Sequence, residues 1–298
     1  MYAATDPRAA LNKDLPKKPP TPIAFQGATY ARFYETEPTE AEGGAKTWYT
    51  RGQNLVIACT SGPAGTTLSR KGQPDEYVLL TLEQDVPVTV TANGETVEVP
   101  GYSIVMIPPG DSTVTLKGNG TVYRMFTTRS PDLVGKCGNA GDYAKDDPNV
   151  PPFAAWPEPV GGFKIRPYSL DVPDTPGRFG KLFRCTTVMV NCFAVSGPRD
   201  ITKLSPHHHD DFEQYSLAAT GSFTHHLRWP WTPDSTIWRE DEHELCASPS
   251  VCVIPPPSIH TSRAMEPANR LIDIFGPPRL DFSEKPGWVL NAADYPMP

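Results

Sequence analysis

The sequence feature that most constrains this chain is an internal repeat. The stretch from Leu68 to Leu79 (Leu-Ser-Arg-Lys-Gly-Gln-Pro-Asp-Glu-Tyr-Val-Leu) lies against that from Leu204 to Leu217 (Leu-Ser-Pro-His-His-His-Asp-Asp-Phe-Glu-Gln-Tyr-Ser-Leu), with a small gap. Further on, Ile107-Pro108-Pro109 and the four residues to Thr113 lie against Ile254-Pro255-Pro256 and the four to His260. Two landmarks recurring in the same order imply two similar folding units in one chain. Around them run short segments rich in β-branched and aromatic residues, at 48–50, 54–60, 77–82, 86–92, 95–99, 103–107, 113–117 and 123–127, with a longer run over 182–194. Prolines number 35 in 298 residues, well above the roughly 5% of average usage, and many stand in Pro-Pro pairs between these runs. That punctuation suits many short strands, so the fold class is all-β with few short helices. Asn93-Gly94 is the dipeptide that a two-residue type I′ hairpin favours.

The second copy carries chemistry that the first lacks. Alternation along an extended strand puts His207, His209 and Glu213 on one face, and His260 follows the second landmark's prolines. Three imidazoles and a carboxylate make a mixed nitrogen and oxygen set that accepts Fe(II), Ni, Mn, Co or Zn. A bulge would let His208 replace either neighbour, and Asp211 competes with Glu213 as the carboxylate. In the first copy Lys71, Gln73, Glu76 and Thr113 stand at the four positions, so three of the four ligands are missing.

This pattern resembles the cupin superfamily. His207-x-His209, three residues, Glu213 and then Gly221 follow its first motif, except that seven residues rather than the usual six precede the glycine; Pro255-Pro256-Pro257 before His260 follows its second. The resemblance implies two tandem cupin jelly-roll barrels. The C-terminal barrel would bind one divalent transition metal, Fe(II) first among the candidates, through His207, His209, Glu213 and His260; the N-terminal barrel would be degenerate and metal-free. The implied organisation is an N-terminal arm over 1–26, a barrel over 27–130, a linker over 131–162 with one short helix near its start, and a second barrel over 163–298.

Charge and composition narrow the partners. The formal net charge is −7 and the pI about 5.5, with no basic stripe, which excludes nucleic acid as the expected ligand. No apolar run reaches the roughly 20 residues of a spanning helix. Six cysteines without a C-x-x-C pair, and no apolar leader, point to the reduced cytoplasm. The expected partners are a small-molecule substrate and O₂, and a second copy in a homodimer. Four ligands on a five- or six-coordinate ion leave open positions, which suits catalysis. The leading reading is a non-haem Fe(II) dioxygenase; the alternative is a metal-dependent isomerase or lyase of a sugar acid or keto acid, and a non-catalytic binding or storage protein ranks third.

Further candidates surround the motif. The catalytic candidates are Glu213, Tyr215 two residues beyond it on the same face, and His226, because alternation turns one of His225 and His226 inward. Lys203, Arg228 and Arg263 are candidates for binding a substrate carboxylate. Trp229, Trp231 and Trp238, in a segment expanded relative to the first copy, either close over the metal as a lid or pack as an ordinary hairpin.

Overall fold

The computed structural model describes residues 24–298. Most of the arm expected over 1–26 therefore lies outside the described residues. Among the described residues the strands form four antiparallel sheets, and two short α-helices, Pro131–Val134 and Leu280–Ser283, accompany them. In the first half a seven-stranded sheet faces a four-stranded one; in the second a six-stranded sheet faces a three-stranded one built from Ser222–Arg228, Glu242–Ala247 and Ile259–Ala264. The 182–194 run becomes the paired strands Lys181–Arg184 and Met189–Cys192. At the Asn93-Gly94 hairpin both residues take positive φ, 52° and 81°, as a type I′ turn requires.

The two halves exchange edge strands. Thr29–Arg32 pairs with Ser250–Ile254 in the second half's large sheet, while Arg166–Ser169 pairs with Ser103–Ile107 in the first half's. Each large sheet is thus completed by the other half. The two large sheets also pack face to face: Leu55, Ile57, Val78 and Leu80 bury against Tyr215, Leu217, Val253 and Ile274 in one continuous core. Sheets buried on both faces read as unbroken apolar runs, which is why Tyr77–Thr81 is buried at all five residues.

Register ties the repeat to the structure. Tyr77 pairs with Ile107, and Gln214 pairs with Ile254. Tyr77 therefore corresponds to Gln214, and Glu76 to Glu213. In both halves the alternate positions face in opposite directions: Val78 and Leu80, like Tyr215 and Leu217, enter the shared core, while Tyr77 and Leu79, with Gln214 and Ser216, face their own lumen. The first lumen is filled by Tyr77, Val88, Val90, Leu116, Phe126 and their neighbours, with the Tyr77 and Phe126 rings stacked at 4.7 Å. The second lumen carries a buried polar row instead. Asp273 there accepts from Ser216 Oγ at 2.8 Å and from Gln214 Nε2 at 3.0 Å.

Candidate metal centre

Three histidines converge at the mouth of the second lumen. A reciprocal backbone bridge ties His207 to His260, with N–H to carbonyl distances of 3.0 and 2.7 Å. His207 Nδ1 lies 2.9 Å from the Ser205 carbonyl and His260 Nδ1 lies 3.0 Å from the Ser258 carbonyl. A carbonyl only accepts, so each Nδ1 carries the proton and each Nε2 offers a lone pair. His209 stacks on Phe212, with ring centroids 4.3 Å apart. The three rings are buried, and one ligand atom from each lies within 4.8 Å of the others, a spacing that could hold a metal ion.

A cavity of about 550 Å³ opens beside them. Phe179, Phe193 and Phe223 give it aromatic walls, and Arg199, Gln214 and Asp273 add polar groups. Arg199 donates to the Ser205 hydroxyl at 2.8 Å and to the Ser262 carbonyl at 3.2 Å. Ser205 thus links the guanidinium to the carbonyl that orients His207. His225, fully buried behind the same face, holds Ser262 Oγ at 2.8 Å through Nδ1; burial, then the nearby His260, pushes its pKa down to about 3.

No protein-family model matches the sequence, and no curated protein matches it. Solved structures do. AerE from Microcystis aeruginosa superposes with a TM-score of 0.55 at 8% identity, over 81% of this chain and 97% of that one. An oxalate decarboxylase from Lactobacillus farciminis, in a formate complex, gives 0.53 at 11% over 89% and 88%, and hazelnut (Corylus avellana) vicilin gives 0.52 at 11% over 83% and 84%. The chain has the bicupin fold.

Within this fold, several residues stand elsewhere than the sequence pattern placed them. The triad is made of His207, His209 and His260, and Glu213 is not part of it. No regular strand runs from His209 to Glu213; the strand starts at Gln214, so alternation does not carry across the gap. Glu213 turns into the face between the barrels, where its Oε2 accepts from Gln53 N–H at 2.7 Å and from the Tyr215 hydroxyl at 2.9 Å. Gly52 leaves room for this contact, since a Cβ there would overlap the Tyr215 hydroxyl and Glu213 Oε2. Burial pushes the Glu213 carboxyl up to about 7, against the lowering effect of those bonds. Tyr215 also accepts from Leu55 N–H at 3.1 Å, so it belongs to the core between the barrels and not to the cavity.

The first half repeats this pin. Glu76 accepts from Thr186 N–H at 3.0 Å and from the Tyr295 hydroxyl at 2.7 Å. Gln53 and Thr186 sit in equivalent strand-to-strand turns of the opposite halves. A carboxylate used alike in both barrels joins them; it does not distinguish the one with histidines.

The remaining candidates also resolve. His225 points inward, whereas His226 lies on the outer face with its Nδ1 2.9 Å from His243 Nδ1. His208 turns to Asp210, and Asp211 lies near Arg279 and Asp281. Arg228 pairs with Asp241 and Lys203 with Asp200, both at the surface; Arg263, like them, is absent from the cavity lining, and the arginine found there is Arg199. Trp229 is buried against Phe25, Leu227 and Ile254, and Trp231 stacks on Trp238 at the surface, 79% exposed. None of the three tryptophans lines the cavity, so the hairpin packs and does not act as its lid.

Sequence reasoning missed Gln214, Arg199 and Asp273. The signal for Gln214 was present: the usual six-residue gap before Gly221, residues 215–220, begins just after it, and the seven-residue gap from Glu213 marks the offset. In the first half Lys71 pairs with Asp111 and Gln73 bonds to Arg70 and Ser130. Among the described residues, one group of three or more metal-ligating side chains is placed to hold an ion. Purified protein should therefore carry about one tightly held divalent metal per chain, and elemental analysis near two equivalents would contradict this.

Proposed function

We propose that the chain is a metal-dependent enzyme acting on a small chelating organic anion, and that it is a non-haem Fe(II) dioxygenase with His207, His209 and His260 as the metal ligands. The observation that carries this reading is the buried triad, two of whose rings, His207 and His260, have the tautomer set by backbone carbonyls and line an aromatic-walled cavity. Three neutral imidazoles leave the charge of a divalent ion uncompensated, which favours an anionic chelator. When bound, ferrous iron would supply Lewis acidity toward the chelator and electrons toward O₂.

The chain's own residues supply the rest. Phe179, Phe193 and Phe223 exclude water and receive an apolar body. Arg199 places a fixed positive charge on the lining, in the planar form that matches a carboxylate. A storage role, as in the vicilins, has no use for converging imidazoles that face a cavity. One observation favours the second reading, lyase or isomerase chemistry: the Asp273 carboxylate lines the cavity and could take up a proton. The test is oxygen uptake by the iron-loaded protein with diketones, catechols and hydroxy-ketones, run beside hexuronates followed for isomerisation. The dioxygenase predicts O₂ consumed in step with product. Turnover that persists without O₂, and equally with redox-inert Zn, selects the lyase or isomerase instead.

A further inference from the structure

The orientation of Gln214 is fixed by chemistry. A carboxylate only accepts hydrogen bonds, so the end of the amide facing Asp273 Oδ1 at 3.0 Å must be the nitrogen, and the same nitrogen reaches Ser216 Oγ at 3.0 Å. That leaves Oε1 as the end turned to the cavity, which Gln214 lines together with His207 and His260. At the corresponding place in the first half, the Tyr77 ring fills the lumen. The second half therefore presents a neutral acceptor beside the triad where the first presents a ring.

We infer that Gln214, held nitrogen-first by Asp273, is a substrate-orienting residue whose Oε1 receives the hydroxyl proton of a singly charged, hydroxyl-bearing chelator with an apolar body, of which a 2-hydroxy acid is the simplest kind. This rests on the proposed metal centre at His207, His209 and His260. A neutral amide keeps the centre's positive charge available to one anionic oxygen of the ligand. Its oxygen, as an acceptor, requires that the neighbouring ligand oxygen keep its proton. A small dianion such as oxalate offers Oε1 no proton and would set a carboxylate oxygen against it, so Gln214 disfavours it.

The test uses zinc-loaded protein, in which no redox chemistry intervenes, titrated calorimetrically with mandelate and with its methyl ether, 2-methoxy-2-phenylacetate. The two share charge and ring and differ in the hydroxyl proton. Mandelate should bind about tenfold or more tighter, the ratio that one well-placed hydrogen bond gives, and oxalate should bind more weakly than mandelate. Gln214→Leu should retain zinc and lose the preference. Asp273→Asn, whose amide can donate as well as accept, should shrink it by freeing Gln214 to turn over. Gln214→Glu should hold zinc at least as tightly and bind both acids about tenfold more weakly, because it places an anion beside an anion. Equal binding of mandelate and its ether to the wild type, or a preference that survives Gln214→Leu, would overturn the inference. Should Gln214→Leu lose its zinc, the wild-type ratio and the Gln214→Glu result decide. An iron-loaded protein that consumes no O₂ while the mandelate preference holds would sink the dioxygenase reading alone.

Discussion

His260→Ala is expected to strip the chain of its metal, and with it all metal-dependent turnover, without unfolding it. The loss should exceed the roughly 10–100-fold fall in affinity that removing an outer partner of a metal ligand causes, because a donor atom of the triad itself disappears. The fold should persist because its stability lies elsewhere. The shared core runs between the two large sheets, and the first lumen is packed with aliphatic and aromatic side chains, and neither includes a residue of the triad. The bridge between His207 and His260 is made by backbone atoms, so it survives loss of the ring. Far-ultraviolet circular dichroism should match the wild type while metal content falls to background. Collapse of the circular dichroism signal on chelation of the wild type would show the ion to be structural.

The sequence reached the fold through its repeat and its proline punctuation, because both report strand length and strand order. Its site was legible in part, and the boundary has a physical cause. His207, His209 and His260 were found because the two sequence motifs carry them, and a backbone bridge between His207 and His260 brings those motifs together in space. Glu213 was misplaced because period-two alternation holds only within a strand, and residues between His209 and Gln214 are irregular. Arg199 sits on an irregular segment eight residues before His207, where no periodicity announces direction. Asp273 looks in sequence like a lone acid in an otherwise mostly apolar strand, Arg270–Phe275, and only its pairing with Ser216 shows that it faces the lumen. The exchange of edge strands was invisible for a related reason: Thr29–Arg32 and Arg166–Ser169 are short, and nothing in a short strand names its partner.

Glu213→Ala should destabilise the metal-free protein by about 2–4 kcal/mol while leaving metal affinity unchanged. It strands the Gln53 N–H and the Tyr215 hydroxyl in the core between the barrels, and an unsatisfied buried donor costs roughly 1–3 kcal/mol. Glu76→Ala should cost a similar amount, because Thr186 and Tyr295 lose the equivalent acceptor on the other side of the same core. Urea midpoints measure both; a large fall in metal affinity for Glu213→Ala would instead restore Glu213 as a ligand. The same carboxylate sets a pH dependence with a definite sign. Its folded pKa, pushed up to about 7 mainly by burial, lies above the ordinary 4.5. Between those values the unfolded chain has released the proton that the folded chain still holds, so stability falls as pH rises through this window and is flat outside it. Glu213→Gln carries a neutral amide at every pH and lacks this slope. The stability advantage of the metal-free wild type over Glu213→Gln should therefore shrink by about 3 kcal/mol from pH 4.5 to pH 7. An advantage that grows over that range would mean that Glu213 is held ionised, and that its bonds to Gln53 and Tyr215 outweigh its burial.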